Sequence, residues 1–462
     1  MNTPMNPIPE VPSVNPVVQT PGYTQPSSPT PAYTQPVAPM SNFVQPVTPK
    51  RNDTKFYVVL VIIVIIIIAL VGFIIYALTQ LNTQSPTANN TQNTNQSTKA
   101  ETTPDYFTNF VKINNAIEEP TNTTSTAGRI SLGLTGTGDS KGTSHPTVLK
   151  VGNTYKMWYT GDDDNGIARI YYAESDDLMT WTKYDNSVPT NSDTTSTNGR
   201  IPVGTAGRAD SKSVANPSVL YKDGEYKMWY CGYDTINRVV LYATSKDGLT
   251  WTKYDNTIPT VSNTTSTKGR VGNGTSGRFD AIDACSPEVI WDEEDSIYKM
   301  WYSSVDPGYI GMATSPDGLT WTKIDNTIPA KTNTTSTNGR LGNGLSGARD
   351  SKYLRNPAVV KLNGKYHMWY VSAPETGMQS ISYATSTDGL SWTKYNNGML
   401  DYETFSNGLN INGYLYRGTE GTLDFNGFGA TDMLYENGKM YMFIFGTGPG
   451  RIETAVSTDL TY

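Results

Sequence analysis

Glu288, Asp432 and Asp283 break a pattern that the rest of the chain keeps. Asp139, Asp210, Asp280, Asp350 and Asp424 recur at one point of a repeated unit, and the eighth residue after each is Thr147, Ser218, Glu288, Ala358 and Asp432. Asp283 likewise fills a place held by Gly142, Ser213, Tyr353 and Gly427 in the other units. A structural role would be needed in every unit, so a carboxylate confined to one of them points to chemistry. Carboxyl groups brought together can transfer protons: one protonates a leaving oxygen while another activates water or attacks carbon. His145, Asn216 and Asn356, each directly before a repeated proline, are hydrogen-bonding groups suited to a polar ligand. Arg355, whose counterparts are Ser144, Ala215, Cys285 and Gly429, suits an anionic group. The competing readings are plain: a carboxylate beside a wet channel is solvated, and a lone arginine belongs to the surface.

The elements that must position these residues repeat with them. Met-Trp-Tyr falls at Met157–Tyr159, Met228–Tyr230, Met300–Tyr302 and Met368–Tyr370, and an S-x-D-G-x-x-W-like corner places Trp181, Trp251, Trp321 and Trp392 at steps of 70, 70 and 71 residues. Each unit holds two apolar runs around a Gly- or Asp-bearing turn, then a third run (VLYATS and kin) and a fourth (WTKYDN and kin). Four antiparallel strands repeated in this way predict the blades of a β-propeller. A fifth, diverged unit starts at Thr431 and lacks its fourth run, while FVKINNAI (Phe110 to Ile117) matches that run and Phe110 lies 71 residues before Trp181. The expected fold is therefore all-β, a five-bladed propeller over 105–462 closed by its N-terminal strand, which removes the exposed sheet edge. The tryptophans recur in every full blade, which argues for packing between blades, with sugar stacking as the alternative. The repeated aspartates are expected to bind backbone amides of turns, and Arg200, Arg270 and Arg340 of the TTST-x-GR loops are read as structural in the same way.

Upstream, composition changes sharply. Residues 1–55 are rich in Pro and Gln and read as a disordered cytoplasmic tail. Residues 56–78 are 23 positions without a charge, a transmembrane helix of about 34 Å. Lys50, Arg51 and Lys55 precede it and no Lys or Arg follows until Lys99, which puts the N-terminus in the cytoplasm and the propeller outside. Residues 79–104 read as a flexible polar stalk. A net charge of −7 argues against a nucleic-acid partner, and two histidines with two cysteines leave no basis for a metal or other cofactor. Cys231 and Cys285 open to one face of adjacent blades, as a disulfide or as two thiols.

A blade of x-P-[ST]-V-L-x-x-x-G-x-Y-K-M-W-Y followed by Y-A-T-S-x-D-G-x-x-W resembles the five-bladed propeller glycosidase superfamily, which includes arabinanases and β-xylosidases, invertases and levansucrases, and mannoside phosphorylases. The resemblance implies a carbohydrate ligand in an axial cavity, and Glu288 falls in the third blade, where those enzymes keep their acid. It also implies an Asp before the first inner-strand proline; here the residues before proline are His145, Asn216, Ser286 and Asn356. The expectation is a membrane-anchored propeller that recognises carbohydrate or a cell-surface glycan. Hydrolysis would use Glu288 as acid with Asp283 or Asp432 as second carboxylate. Binding without turnover would use His145, Asn216, Asn356 and Arg355, and a protein-interaction or adhesion platform is the third reading.

Overall fold

The computed structural model describes residues 110–114, 116–305, 308–376, 379–395, 415, 422–424, 426–447 and 450–457. The stretches read as tail, membrane helix and stalk lie outside them, and among the described residues no helix is long and apolar enough to cross a membrane. All regular elements among the described residues are strands, arranged in five antiparallel sheets. Their inner strands are Gly142–Val151, Ser213–Lys222, Cys285–Asp292, Tyr353–Leu362 and Phe428–Glu436. Each touches the next, and the fifth touches the first. The chain is a five-bladed β-propeller.

Local chemistry makes each blade. Asp223-Gly224, Asn363-Gly364 and Asn437-Gly438 have φ of 56° and 74°, 52° and 72°, and 51° and 78°. Two consecutive left-handed residues make the turn whose twist matches a β-hairpin, and Asn-Gly and Asp-Gly adopt it at least cost. Blades 1 to 4 carry one strand more than expected, because Thr124–Ser125, Thr195–Ser196, Thr265–Ser266 and Thr335–Ser336 of the TTST loops pair with the outer strands. Two residues are too few to leave a readable alternation in sequence. The fifth sheet has four strands, and its outer member is Phe110–Lys112, antiparallel to Arg451–Ser457 with Phe110 opposite Ser457.

Aromatic edges join the blades. Trp158, Trp229 and Trp301 each meet the corner tryptophan of the following blade (Trp251, Trp321 and Trp392) edge-on, with centroids 5.8 Å apart. Phe110 takes the corner place against Trp369 at 6.2 Å, and Phe443 meets Trp181 at 6.1 Å. All of these rings are buried. They pack between blades and present no face to a sugar.

The repeated aspartates correct an expectation. They hold the lysines of the WTK strands and of the FVK strand Phe110–Lys112: Lys183–Asp139, Lys253–Asp210 and Lys323–Asp280 at 2.7 Å, Lys394–Asp350 at 2.6 Å, and Lys112–Asp424. Asn186, Asn256 and Asn326 donate to the other oxygen in blades 1 to 3, and Tyr159 and Tyr302 each donate a hydroxyl at 3.0 Å. Both charges of each pair are buried, so the extra hydrogen bonds are what offset desolvation. Each pair ties an outer strand to the chain entering the inner strand of the same blade.

Candidate functional site

The inner strands of blades 1 to 4 share one distortion. Pairing with the second strand slips between Ser144 and Thr147, Ala215 and Ser218, Cys285 and Glu288, and Arg355 and Ala358. Such a bulge re-aims side chains, and the re-aimed residue is the one before proline. His145, Asn216, Ser286 and Asn356 have φ of 46°, 52°, 49° and 50°. A residue before proline is ordinarily extended, so each of these left-handed positions costs on the order of 1–3 kcal/mol. The neighbouring blade offsets part of that cost: the Asn216 N–H donates to Thr160 Oγ1 at 2.9 Å, and the Asn356 N–H to Ser303 Oγ at 3.3 Å. Cys231 holds the corresponding place in blade 2, and there the link is covalent, a disulfide to Cys285 with the Cα atoms 5.2 Å apart.

The four residues form a ring around the axis. On one side is a cavity of about 320 Å³, lined also by Arg238, Tyr233, Arg355, Gln379, Phe445 and the disulfide. On the other is a neck of about 30 Å³, which the same four residues share with their prolines, Glu288 and Thr431. A neck that size takes one or two waters. Asn216 Nδ2 donates to Ser286 Oγ at 2.7 Å within the ring, and the His145 Nδ1 lies 2.9 Å from Ser144 Oγ. Burial and the nearby Arg355 charge hold the His145 imidazole down to about 3, so it is neutral at physiological pH. Arg355, read as a ligand or a surface residue, is half-buried in the cavity wall.

Glu288 and Asp432 occupy a position with a job in nearly every blade. The Val219 N–H donates to Thr147 Oγ1 at 3.3 Å and the Val289 N–H to Ser218 Oγ at 2.9 Å. The Val359 N–H donates to Glu288 Oε1 at 3.2 Å and the Val148 N–H to Asp432 Oδ2 at 2.6 Å. A side-chain oxygen of one blade thus latches the backbone of the next in four of the five, contrary to the expectation that a structural residue keeps one identity. The carboxylates still differ from the hydroxyls in charge. Burial, and then the charge of Asp432, push the Glu288 carboxyl well up, and burial brings Asp432 to about 7.

Asp283 stands apart from both. It is buried, its Oδ1 accepts from the Val305 N–H at 2.6 Å, and it lines neither the cavity nor the neck. The sequence groups three carboxylates; the charge of Asp432 bears on Glu288, whereas Asp283 lies apart and its backbone bridges to Arg238. Arg238, Tyr233, Gln379 and Phe445 of the cavity wall were not singled out from sequence. Arg238 carried a usable signal, since its counterparts counted from the alanine of the third strand are Ala168, Gly308, Gln379 and Gly450.

No family model matches the chain. It shares 29% identity over 207 residues with the uncharacterized proteins Rv1502 of Mycobacterium tuberculosis (strain ATCC 25618 / H37Rv) and MT1551 of strain CDC 1551 / Oshkosh, a match covering 42% of this chain and 58% of theirs. The match spans little more than half the length of those relatives. Among solved structures it is similar to a candidate glycosidase from Bacteroides thetaiotaomicron, with a TM-score of 0.53 at 16% identity over 78% of this chain and 99% of that one. A glycosyl hydrolase from Bacteroides ovatus and a further structure described as a glycoside hydrolase both reach 0.50 at 16% identity, covering 76% and 77% of this chain and 95% and 94% of theirs. At such identities the likeness is one of fold: this chain has the five-bladed β-propeller architecture on which those proteins are built.

Proposed function

We propose that this chain is a membrane-anchored carbohydrate-binding propeller, with residues 56–78 as the anchor, the propeller on the outer side, and the sugar seated in the axial cavity. One observation carries the reading. The 320 Å³ cavity is lined by amides, a neutral imidazole, arginines and two aromatic rings, with no carboxylate among its described lining residues. That is a surface for hydrogen-bonding and orienting a polar ligand. The names of the fold neighbours, glycosidase and glycosyl hydrolase, point the same way at the level of fold. Phe110–Lys112 acts in this reading as the clasp that closes the ring and so completes the cavity.

Glycoside hydrolysis needs two carboxyl groups about 5–9.5 Å apart flanking the scissile bond, in the space the sugar occupies. Glu288 instead lines a neck with room for water, and this favours binding over turnover. One observation favours the hydrolytic reading: burial, and then the charge of Asp432, hold the Glu288 carboxyl well up, as a general acid requires. A glycan array probed with the full chain in detergent, followed by analysis of the glycans for cleavage, separates the two. The expected result is retention of a related set of glycans without cleavage, with N216A and N356A weakening it about tenfold. Cleavage lost in E288Q would move the reading to an enzyme. Silence across the array would leave the interaction platform.

A further inference from the structure

Two arginines of the cavity wall are not accounted for by a neutral sugar. Arg238 begins the third strand of blade 2 and Arg355 lies on the inner strand of blade 4, and both line the same cavity. Each departs from the repeat at its own position, where the other blades carry Ala168, Gly308, Gln379 and Gly450, or Ser144, Ala215, Cys285 and Gly429. Six other arginines are ion-paired. Arg129, Arg169, Arg200, Arg208, Arg270 and Arg340 each have a carboxylate partner, Glu118, Asp163, Asp185, Asp193, Asp255 and Asp325. Neither Arg238 nor Arg355 has one among the described residues; Arg278 and Arg451 share that condition, but of these four only Arg238 and Arg355 line the cavity.

They are nevertheless held in place. The guanidinium of Arg238 lies over the Tyr233 ring at 4.9 Å, and that of Arg355 over the Tyr353 ring at 4.7 Å. With its amide turned to satisfy its surroundings, Gln379 accepts from Arg355 Nη2 at 3.1 Å. Arg355 Nε is buried with no hydrogen-bond partner. A buried donor left unpaired is costly, and stacking positions a guanidinium while leaving its N–H edge for a ligand. The excess of positive charge is local, in a chain whose net charge is −7.

We infer that the axial cavity takes an acidic saccharide, with the oxyanion of the sugar received by Arg238 and Arg355. The inference rests on the reading that a saccharide occupies this cavity, and adds the charge it carries. A uronate carboxylate and a phosphate or sulfate ester present the same chemistry to a guanidinium: a cluster of acceptor oxygens bearing charge. Asn216, Asn356 and His145 on the ring then meet the sugar hydroxyls, and Phe445, which lies 5.8 Å from the His145 ring, supplies an apolar face.

The test titrates the full chain in detergent with matched pairs: uronic acid oligosaccharides against their methyl esters, and sugar phosphates and sulfates against the parent sugars, with inorganic phosphate alone as a further probe. Within whichever pair binds, the charged member is expected to bind at least about tenfold more tightly, and the preference to shrink as salt is raised. R238Q and R355Q should abolish that preference, with R355K retaining part of it. The comparison of acid with ester uses the unaltered chain, so it stands even if a variant fails to fold. Equal affinity for the two members of the binding pair overturns the oxyanion site and leaves the carbohydrate reading intact. Binding of no saccharide overturns both, as does binding of inorganic phosphate alone. A preference confined to the uronides, or to the phosphate and sulfate esters, supports the site and names the source of its anion.

Discussion

A hydroxyl and a carboxylate make the same latch at the axis, but they differ in what is left over. Thr147 and Ser218 spend a neutral oxygen on the next blade, while Asp432 spends a carboxylate on the Val148 N–H, and its charge bears on Glu288. Its carboxyl is held up to about 7 by burial, against an ordinary value of 3.8. Between those two values the folded chain keeps a proton that the unfolded chain has released, so this group lowers stability as pH rises from about 4 to about 7. D432N keeps the acceptor and removes the charge. Thermal melts should show it matching the parent near pH 4 and exceeding it at pH 8 by about 1 kcal/mol or more. Melting curves that run parallel across that range would show that the carboxyl does not titrate there.

Among the elements, the short outer strands matter beyond their length. Phe110–Lys112 has three residues, yet it supplies the aromatic that meets Trp369 and the lysine that meets Asp424, the two contacts that WTK strands make elsewhere. Phe110 is buried, whereas Val111 is 44% exposed. F110A is therefore expected to cost about 3–5 kcal/mol, the range for removing a large buried aromatic. V111A, on the same strand, should stay within about 0.5 kcal/mol. Denaturant midpoints of the two variants check this, and similar midpoints would show that the strand does not carry the closing blade.

At the scale of the molecule, five similar sheets are held by latches, aromatic edges and, between blades 2 and 3 alone among the described residues, by a disulfide. That bond closes a loop of 54 residues. In the chain-entropy account a loop of that length is worth about 4 kcal/mol, less any relaxation. C231S/C285S should lower the melting temperature accordingly. Because the disulfide also lines the cavity, the double variant should weaken ligand retention in step with the loosened wall. Loss of stability with unaltered retention would show that the two blades keep the site without it.

What the sequence determined by itself is whatever short range controls. Hairpin turns, apolar runs, the step of 70 or 71 residues and the matching of FVKINNAI to WTKYDN are relations between neighbours or between copies, and they were enough for five blades. The same comparison between copies found Glu288, Asp432 and Arg355, because a repeat supplies its own reference. Tertiary structure alone decided which of these share a space. Whether a residue before proline faces the axis depends on a bulge and a left-handed φ that no alternation records, and where the fold puts Asp283 and Glu288 is what separates them. The partners of the repeated aspartates, the width of the cavity above the neck and the pairing of Arg238 with Arg355 around it follow from five sheets meeting at one axis. That convergence joins residues distant in the chain, so it has no local signature to read.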